Sequence, residues 1–365
     1  MQIKRWLLKI AIHLDFPLLL LLFVLMILSL FLQYSASGED KSHLLMHGIN
    51  MLIALGVLVL VANIPPPYLL ALAVPLYTTG VILLVGVALF GDVVNGSRRW
   101  LHLGVTRIQP SEILKIATPL MLAWYFHYHE ATLRLKDYGI AAVLLAIPVA
   151  LVARQPDLGT ALLIAASGFY VLFFAGLPWR ALFGMIVAGA ASLPILWHFL
   201  HDYQKRRVLT LLHPEQDPLG AGYHIIQSSI AIGSGGSFGK GWLHGTQAHL
   251  DFLPEHSTDF VFAVFGEEFG LLGNVFLLLL YLAIIARGLM ITVNASTLFA
   301  RLMAGSVTLA FFTYAFVNMG MVSGLLPVVG IPLPMMSYGG TAMVIVMLGF
   351  GIVMSVKSHR KLIKS

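Results

Sequence analysis

Residues 242–268 read WLHGTQAHLDFLPEHSTDFVFAVFGEE. The first half is polar, with several His, Asp and Glu residues. The second half enters an apolar run, so Asp259 stands where a water-facing loop becomes a membrane helix. From there Asp259, Ala263, Gly266 and Gly270 recur at helical spacing and share one face of small residues. Glu267, eight residues on, stands roughly 12 Å deeper at about 1.5 Å per residue. An acid at a membrane mouth, above a face without bulky side chains, predicts a carboxylate looking into a cavity.

Outward from this stretch the chain is apolar almost throughout. Of its 365 residues 59% are hydrophobic and 10% charged, against about 25% charged in soluble domains. Apolar runs of about 20 residues recur. They predict an all-α polytopic membrane protein and leave no room for a separate soluble domain. About ten spans are expected, near 16–34, 44–63, 67–90, 110–128, 138–153, 158–176, 181–200, 259–286, 298–322 and 339–357. Pro and Gly mark the joints: Pro65-Pro66-Pro67, Gly91, Pro110, Pro156, Pro178 and a cluster at 324–340. Residues 1–365 read as a single membrane domain, without a repeat or linker. Residues 201–258, between spans seven and eight, form the one long polar stretch. Such a length exceeds a plain connection and argues for a functional loop. Within it Tyr223 to Ile232 reads as a short interfacial or re-entrant element. The basic residues Lys4, Arg5 and Lys9 ahead of the first run imitate a signal peptide. That run outlasts an apolar signal region of about 7–15 residues, so it is read as an uncleaved span, with residues 5–14 along the interface. There is no Cys, hence no disulfide, thiol chemistry or Cys-ligated metal.

Basic residues set the orientation. With the N-terminus inside, the cytoplasmic side holds 12 of the 22 basic residues, from Lys4 to Lys364, and three acids, Asp15, Glu130 and Asp137. The opposite side keeps the other 10 basic residues and 13 of the 16 acids. Both termini are therefore expected in the cytoplasm, and 201–258 outside. The net charge of +6 marks anchoring of the inner face, and nucleic acid is not expected as a partner. Nine of the ten outer basic residues gather at 91–115, Arg154, 205–207 and Lys240.

Ionisable groups in or beside spans are costly and tend to line an interior or a cavity. Glu112 and Lys115 lie three apart on the fourth span and can pair. They either lock helix packing or reach a substrate. In GSRRWLHLGVTR, residues 96–107, the pair Arg98-Arg99 either anchors the chain at the interface beside Trp100 or binds phosphate bidentately. Arg154-Gln155-Pro156-Asp157 reads as a tight turn with an internal Arg–Asp pair or as a substrate contact. The segment 233–241, GSGGSFGKG, is a hinge or a phosphate cradle. It is not a P-loop, because Ser234 stands five residues before Gly239 and Gly241 follows Lys240. His244, His249 and His256 cluster near Asp251, Glu255 and Asp259, yet their spacing matches no strong metal motif.

Four segments resemble one family when taken together across the spans. They are GSRRWLHLG…RIQPSEILKI at 96–116, RQPDLGTALL at 154–163, GTQAHLDFLPEHSTDFVFAVFGEEFG at 245–270 and GLLPVVGIPLPMMSYGGTAM at 324–343. The family is SEDS (shape, elongation, division and sporulation), and the wording is most similar to its elongation branch. The resemblance implies a peptidoglycan glycosyltransferase of the inner membrane with its active site facing the periplasm. It would polymerise lipid II, a disaccharide-pentapeptide on undecaprenyl pyrophosphate. It would act with a class B penicillin-binding protein, which supplies transpeptidation, and with other membrane proteins of the elongation complex. The family's Asp of the TDF motif falls on Asp259, and the Glu and Lys of its PSE-x-x-K motif on Glu112 and Lys115.

On that basis Asp259 is expected as general base on the acceptor hydroxyl. Arg98, Arg99, Glu112, Lys115, Arg154 and Lys240 are the expected substrate-binding residues, and the small-residue face would leave room for isoprenoid tails. A divalent cation, Mg²⁺ or Mn²⁺, is the one candidate cofactor, without an assigned ligand set. Burial would raise the pKa of Asp259 and nearby Arg would lower it. Read from residues alone, a lipid II flippase would use the same cavity and charges, and a non-catalytic scaffold would need neither. A flippase more often shows internal repeats and a site at the midplane.

Overall fold

A computed structural model describes residues 12–94, 97–103, 106–199, 202–217, 220–246 and 255–359. Among the described residues ten helices of 17 to 33 residues stand where spans were expected. They are α1 (Phe16–Ala36), α2 (Lys41–Ala62), α3 (Pro66–Phe90), α4 (Pro110–Tyr128), α5 (Leu135–Ala153), α6 (Leu158–Phe174), α7 (Trp179–Phe199), α10 (Val261–Val293), α11 (Leu298–Val322) and α12 (Gly340–Ser358). Among the described residues, seven are long and apolar enough to cross a membrane, while α6 and α7 are shorter apolar helices and α4 carries the buried Glu112–Lys115 pair. Caps fix several starts: Asp15 accepts from Leu18 N, Asp40 from Ser42 N, Asp157 from Thr160 N and Thr297 from Ala300 N. The helix α11 is the central post, with 72% of its apolar window buried against 22% for α2.

Two features depart from the expected picture. Three short strands, β1 (Asp92–Val94), β2 (Ser97–Leu103) and β3 (Thr106–Ile108), form a small antiparallel sheet in the order β1-β2-β3. Its register pairs Val93 with Arg98 and Leu101 with Ile108. The second is α10, which runs on through Gly288 to Val293 instead of ending near 286. A straight helix of 33 residues would be about 50 Å long, against a hydrocarbon core of about 30 Å. A kink at Gly270 (φ 64°, ψ −161°) resolves the mismatch. Beyond it Leu271, Leu272, Val275, Phe276 and Leu279 are exposed, as a lipid-facing span requires.

Before the kink, residues 261–268 are all buried, which corrects the reading of the small-residue face. A Cβ on Gly266 would meet Ile232 Cγ1 and Asn274 Nδ2, each at 3.2 Å, and one on Gly270 would sit 2.3 Å from Gly239 N. The face is packed shut against the elements of the long loop, so it offers no room for isoprenoid tails. Those elements are α8 (Asp202–Leu212) and α9 (Ala221–Ser234), followed by the glycine-rich segment. The expected short element at 223–232 is therefore part of α9.

The end of the bundle holding the start of α1 and the ends of α10 and α12 carries a closed ion cluster. Arg287 donates twice to Asp15, at 2.9 and 2.7 Å, and Lys357 pairs with the same carboxylate. All three belong to the set expected on the cytoplasmic side.

Candidate functional site

At the opposite end a cavity of 270 Å³ opens between α4, α6, the sheet and the segment that leads into α12. Each polar wall has a local cause. Pro110 opens α4 and puts Glu112 in its first turn, with Lys115 following on the same face. Lys115 Nζ lies 2.6 Å from Glu112 Oε1 and 5.4 Å from the Tyr314 ring centre. Both charged residues are 9% exposed, and Glu112 Oε2 is shut from water without a partner among the described residues. Asp157 caps α6 through Oδ1. Its Oδ2 faces Gln109 Nε2 at 3.4 Å and Arg99 at 3.7 Å. Arg99 also donates to Pro156 O at 2.9 Å. The expected Arg154–Asp157 pair is thus not formed: Asp157 takes Arg99, brought in by β2, while Arg154 at the end of α5 is exposed. Arg98, next along the strand, is also exposed.

Asp259 sits in the turn before α10, partly buried. Its carboxylate accepts no hydrogen bond among the described residues. Gly330 lines the cavity, and a Cβ built there would come 3.4 Å from Asp259 Oδ2. Gly330, in left-handed backbone (φ 72°), stands between the acid and the cavity. Burial, with the nearby Glu255 charge adding to it, pushes the Asp259 carboxyl up to about 6. Among the described residues no arginine opposes that shift.

The backbone under Asp259 is tied from three sides. Gln33 and Tyr338 N donate to Ser257 O (2.8 and 2.9 Å), Ser337 Oγ to Thr258 O (2.6 Å) and Asn318 Nδ2 to Asp259 O (2.8 Å). The segment 330–338 is anchored as well: Asn318 also holds Ile331 O, at 2.7 Å, and Tyr281 OH holds Pro334 O, at 2.6 Å.

Lys240 is elsewhere. Its Nζ lies 2.6 Å from Glu267 Oε1 and 2.9 Å from Thr246 Oγ1, and its backbone N donates to Glu267 O. Thr246 donates twice more to the same Glu267 oxygen, at 2.9 Å each. These contacts clamp the glycine-rich segment onto α10. No group of three or more His, Asp or Glu side chains converges among the described residues. His249 and Asp251 lie outside them.

Of the expected site residues, then, the structure gathers Arg99, Glu112 and Lys115 around one cavity, with Asp259 against its glycine wall. Arg98, Arg154 and Lys240 stand apart from that lining. Gln109, Thr160 and Asn318 were not singled out from the sequence. Asn318 carried a usable signal, a polar amide inside an apolar run.

The chain matches the FtsW/RodA/SpoVE family of cell cycle proteins over residues 10–362. It belongs to that family, SEDS. Among its relatives, the peptidoglycan glycosyltransferase MrdB of Escherichia coli K12 is 54% identical over 353 residues, covering 96% of this chain and 95% of the relative. Among solved SEDS-like structures, a chain of a peptidoglycan synthase complex described as coordinating polymerization and crosslinking superposes with a TM-score of 0.83. It is 34% identical and covers 95% of this chain and 98% of its own. The rod shape determining protein RodA of Thermus thermophilus follows at 0.71, with 30% identity and 95% and 97% coverage.

Proposed function

We propose that this SEDS protein is a peptidoglycan glycosyltransferase of cell elongation, with Asp259 as its base. The observation that carries the reading is a carboxylate without a partner among the described residues, with its pKa raised, beside a cavity that holds Arg99 and Lys115. Its similarity to relatives named peptidoglycan glycosyltransferase supports the enzyme class. Lipid II is the proposed substrate. Asp259 takes the proton from the acceptor GlcNAc 4-OH, and the freed oxygen attacks the anomeric carbon of the growing chain's terminal MurNAc. A β-1,4 bond forms with inversion as the bond to undecaprenyl pyrophosphate breaks. The electron pair leaves with the pyrophosphate, which Arg99 and Lys115 stabilise. Arg98 and Arg154, both exposed, contact the substrate outside the cavity, and Lys240 shapes the outer loop through Glu267. A divalent cation, Mg²⁺ or Mn²⁺, would enter on the pyrophosphate oxygens, not on Asp259. Such an ion would neutralise pyrophosphate charge.

We place the whole chain as one domain in the inner membrane with the cavity toward the periplasm. The proposed partner is a class B penicillin-binding protein within the elongation complex. The synthase complex similar in fold supports that partner. The experiment is Asp259→Asn in liposomes supplied with external lipid II and the partner. Loss of glycan polymer, with folding and partner binding kept, supports the reading. Full polymerisation overturns it, and translocation without polymer in the native protein would mean a flippase.

A further inference from the structure

No described residue donates to the Asp259 carboxylate, and the ties that hold it in place run through the backbone that carries it. Among the ties to that backbone Asn318 is distinct. One nitrogen serves both the acid-bearing turn, at Asp259 O (2.8 Å), and the cavity wall, at Ile331 O (2.7 Å). Ile331 directly follows Gly330, the wall residue that faces Asp259 Oδ2. The orientation of the amide is decided by chemistry, because two carbonyl oxygens can be met only by the NH₂ end. Asn318 is fully buried on the central helix α11, and its Oδ1 is left without a partner among the described residues. A buried orphan acceptor is unfavourable, and leucine would fill the same space without one. The amide is therefore there for its two donated bonds.

We infer that Asn318 is a positioning residue for glycosyl transfer, holding the Asp259 carboxylate at the cavity edge by clamping the carbonyls of Asp259 and Ile331 together. This rests on the reading of Asp259 as the base. A displacement of about 1 Å in a reacting group costs on the order of 100-fold in rate. The substrate-binding groups Arg99 and Lys115 do not touch Asn318, so binding should survive its loss. Release of the turn would also let water reach Asp259 and bring its pKa down toward an ordinary carboxylate.

The test is Asn318→Leu in the purified complex with the partner, assayed for lipid II polymerisation across pH. The expected result is kcat lower by about 100-fold, KM within about threefold, and an acidic limb of kcat/KM moved to lower pH, in protein with a native melting transition. Asn318→Asp keeps the outline of the side chain without its paired donors and is read in the same way if the leucine variant does not accumulate. Native kcat and pH profile in a folded variant overturns the inference. So does a fall in kcat with an unmoved acidic limb, or failure of both variants to fold, since either means a structural role alone. If Asp259→Asn is inactive while Asn318→Leu is normal, only this inference fails. If Asp259→Asn is active, the reading of the base fails first.

Discussion

Two acids stand at opposite ends of the same bundle, and they are treated in opposite ways. Asp15 is fully buried and saturated: it accepts from Leu18 N, twice from Arg287, and pairs with Lys357. Burial alone would raise its pKa, but Arg287, Lys357 and the Leu18 amide outweigh it and hold the carboxyl at about 2. Asp259 accepts no side-chain or amide donor among the described residues, and burial lifts its carboxyl to about 6. One acid has its charge consumed by packing. The other is left with a lone pair to use, at a pKa near working pH. The contrast separates an acid that holds helices together from one that can move a proton, although both sit at the mouth of an apolar helix.

The largest effect should come from unbalancing the polar cavity. Lys115→Met leaves Glu112 charged and buried, which costs about 3–5 kcal/mol. Thermal unfolding in detergent measures it, and the double variant with Glu112→Gln should recover much of the loss. Next is Asp259→Asn as a stability probe. A carboxyl whose folded pKa is raised favours the fold at low pH, and that contribution is lost as pH rises through about 6. At pH 8 the neutral amide should therefore stabilise the protein by about 2–3 kcal/mol. Asp15→Asn should have the opposite sign, a loss of about 1–3 kcal/mol, with polymerisation by the folded protein unchanged. Its partners Arg287 and Lys357 are 28% and 42% exposed, so they can return to water, which keeps the loss below that of Lys115→Met. The Asp15 contribution is complete above pH 4 and falls away only toward pH 2. If Asp15→Asn and Asp259→Asn shift the melting temperature in the same direction at pH 8, the contrast between the two ends fails. The smallest effect is expected from Gly330→Ala. Left-handed backbone makes it cost about 1–2 kcal/mol, and a methyl group 3.4 Å from Asp259 Oδ2 should lower the polymerisation rate by roughly tenfold.

The long helices were legible because apolar runs between Pro and Gly leave few alternatives. Expectations for 110–128 and 298–322 coincide with α4 and α11. What escaped depends on contacts between distant residues. Short strands such as Thr106–Ile108 have no helical or apolar run to announce them, and their pairing is decided by neighbours. Gly266 and Gly270 read as an open face, because small residues look alike whether they admit a ligand or a backbone. The structure shows the second: Gly270 both bends the helix and lets Gly239 approach. Partner choice among charges was also hidden. Arg154 is nearer in sequence to Asp157 than Arg99 is, yet β2 delivers Arg99. Lys240 read as a free cation until α10 brought Glu267 beneath it. Asp259 itself was visible as an acid at the head of an apolar run, and the family motif singled it out over Asp251, Glu255 and Glu267. Its solitude was not visible, because it follows from which donors are used up elsewhere.

The central claim is that Asp259 works as a base with a raised pKa. The direct measurement is kcat/KM for lipid II polymerisation by the protein–partner complex between pH 4 and 9. The account predicts a plateau above pH 7 and a fall approaching tenfold per unit below about pH 6, with no polymer at any pH from Asp259→Asn. A rate that stays flat down to pH 4, or an acidic limb that persists in an active Asp259→Asn protein, would contradict it.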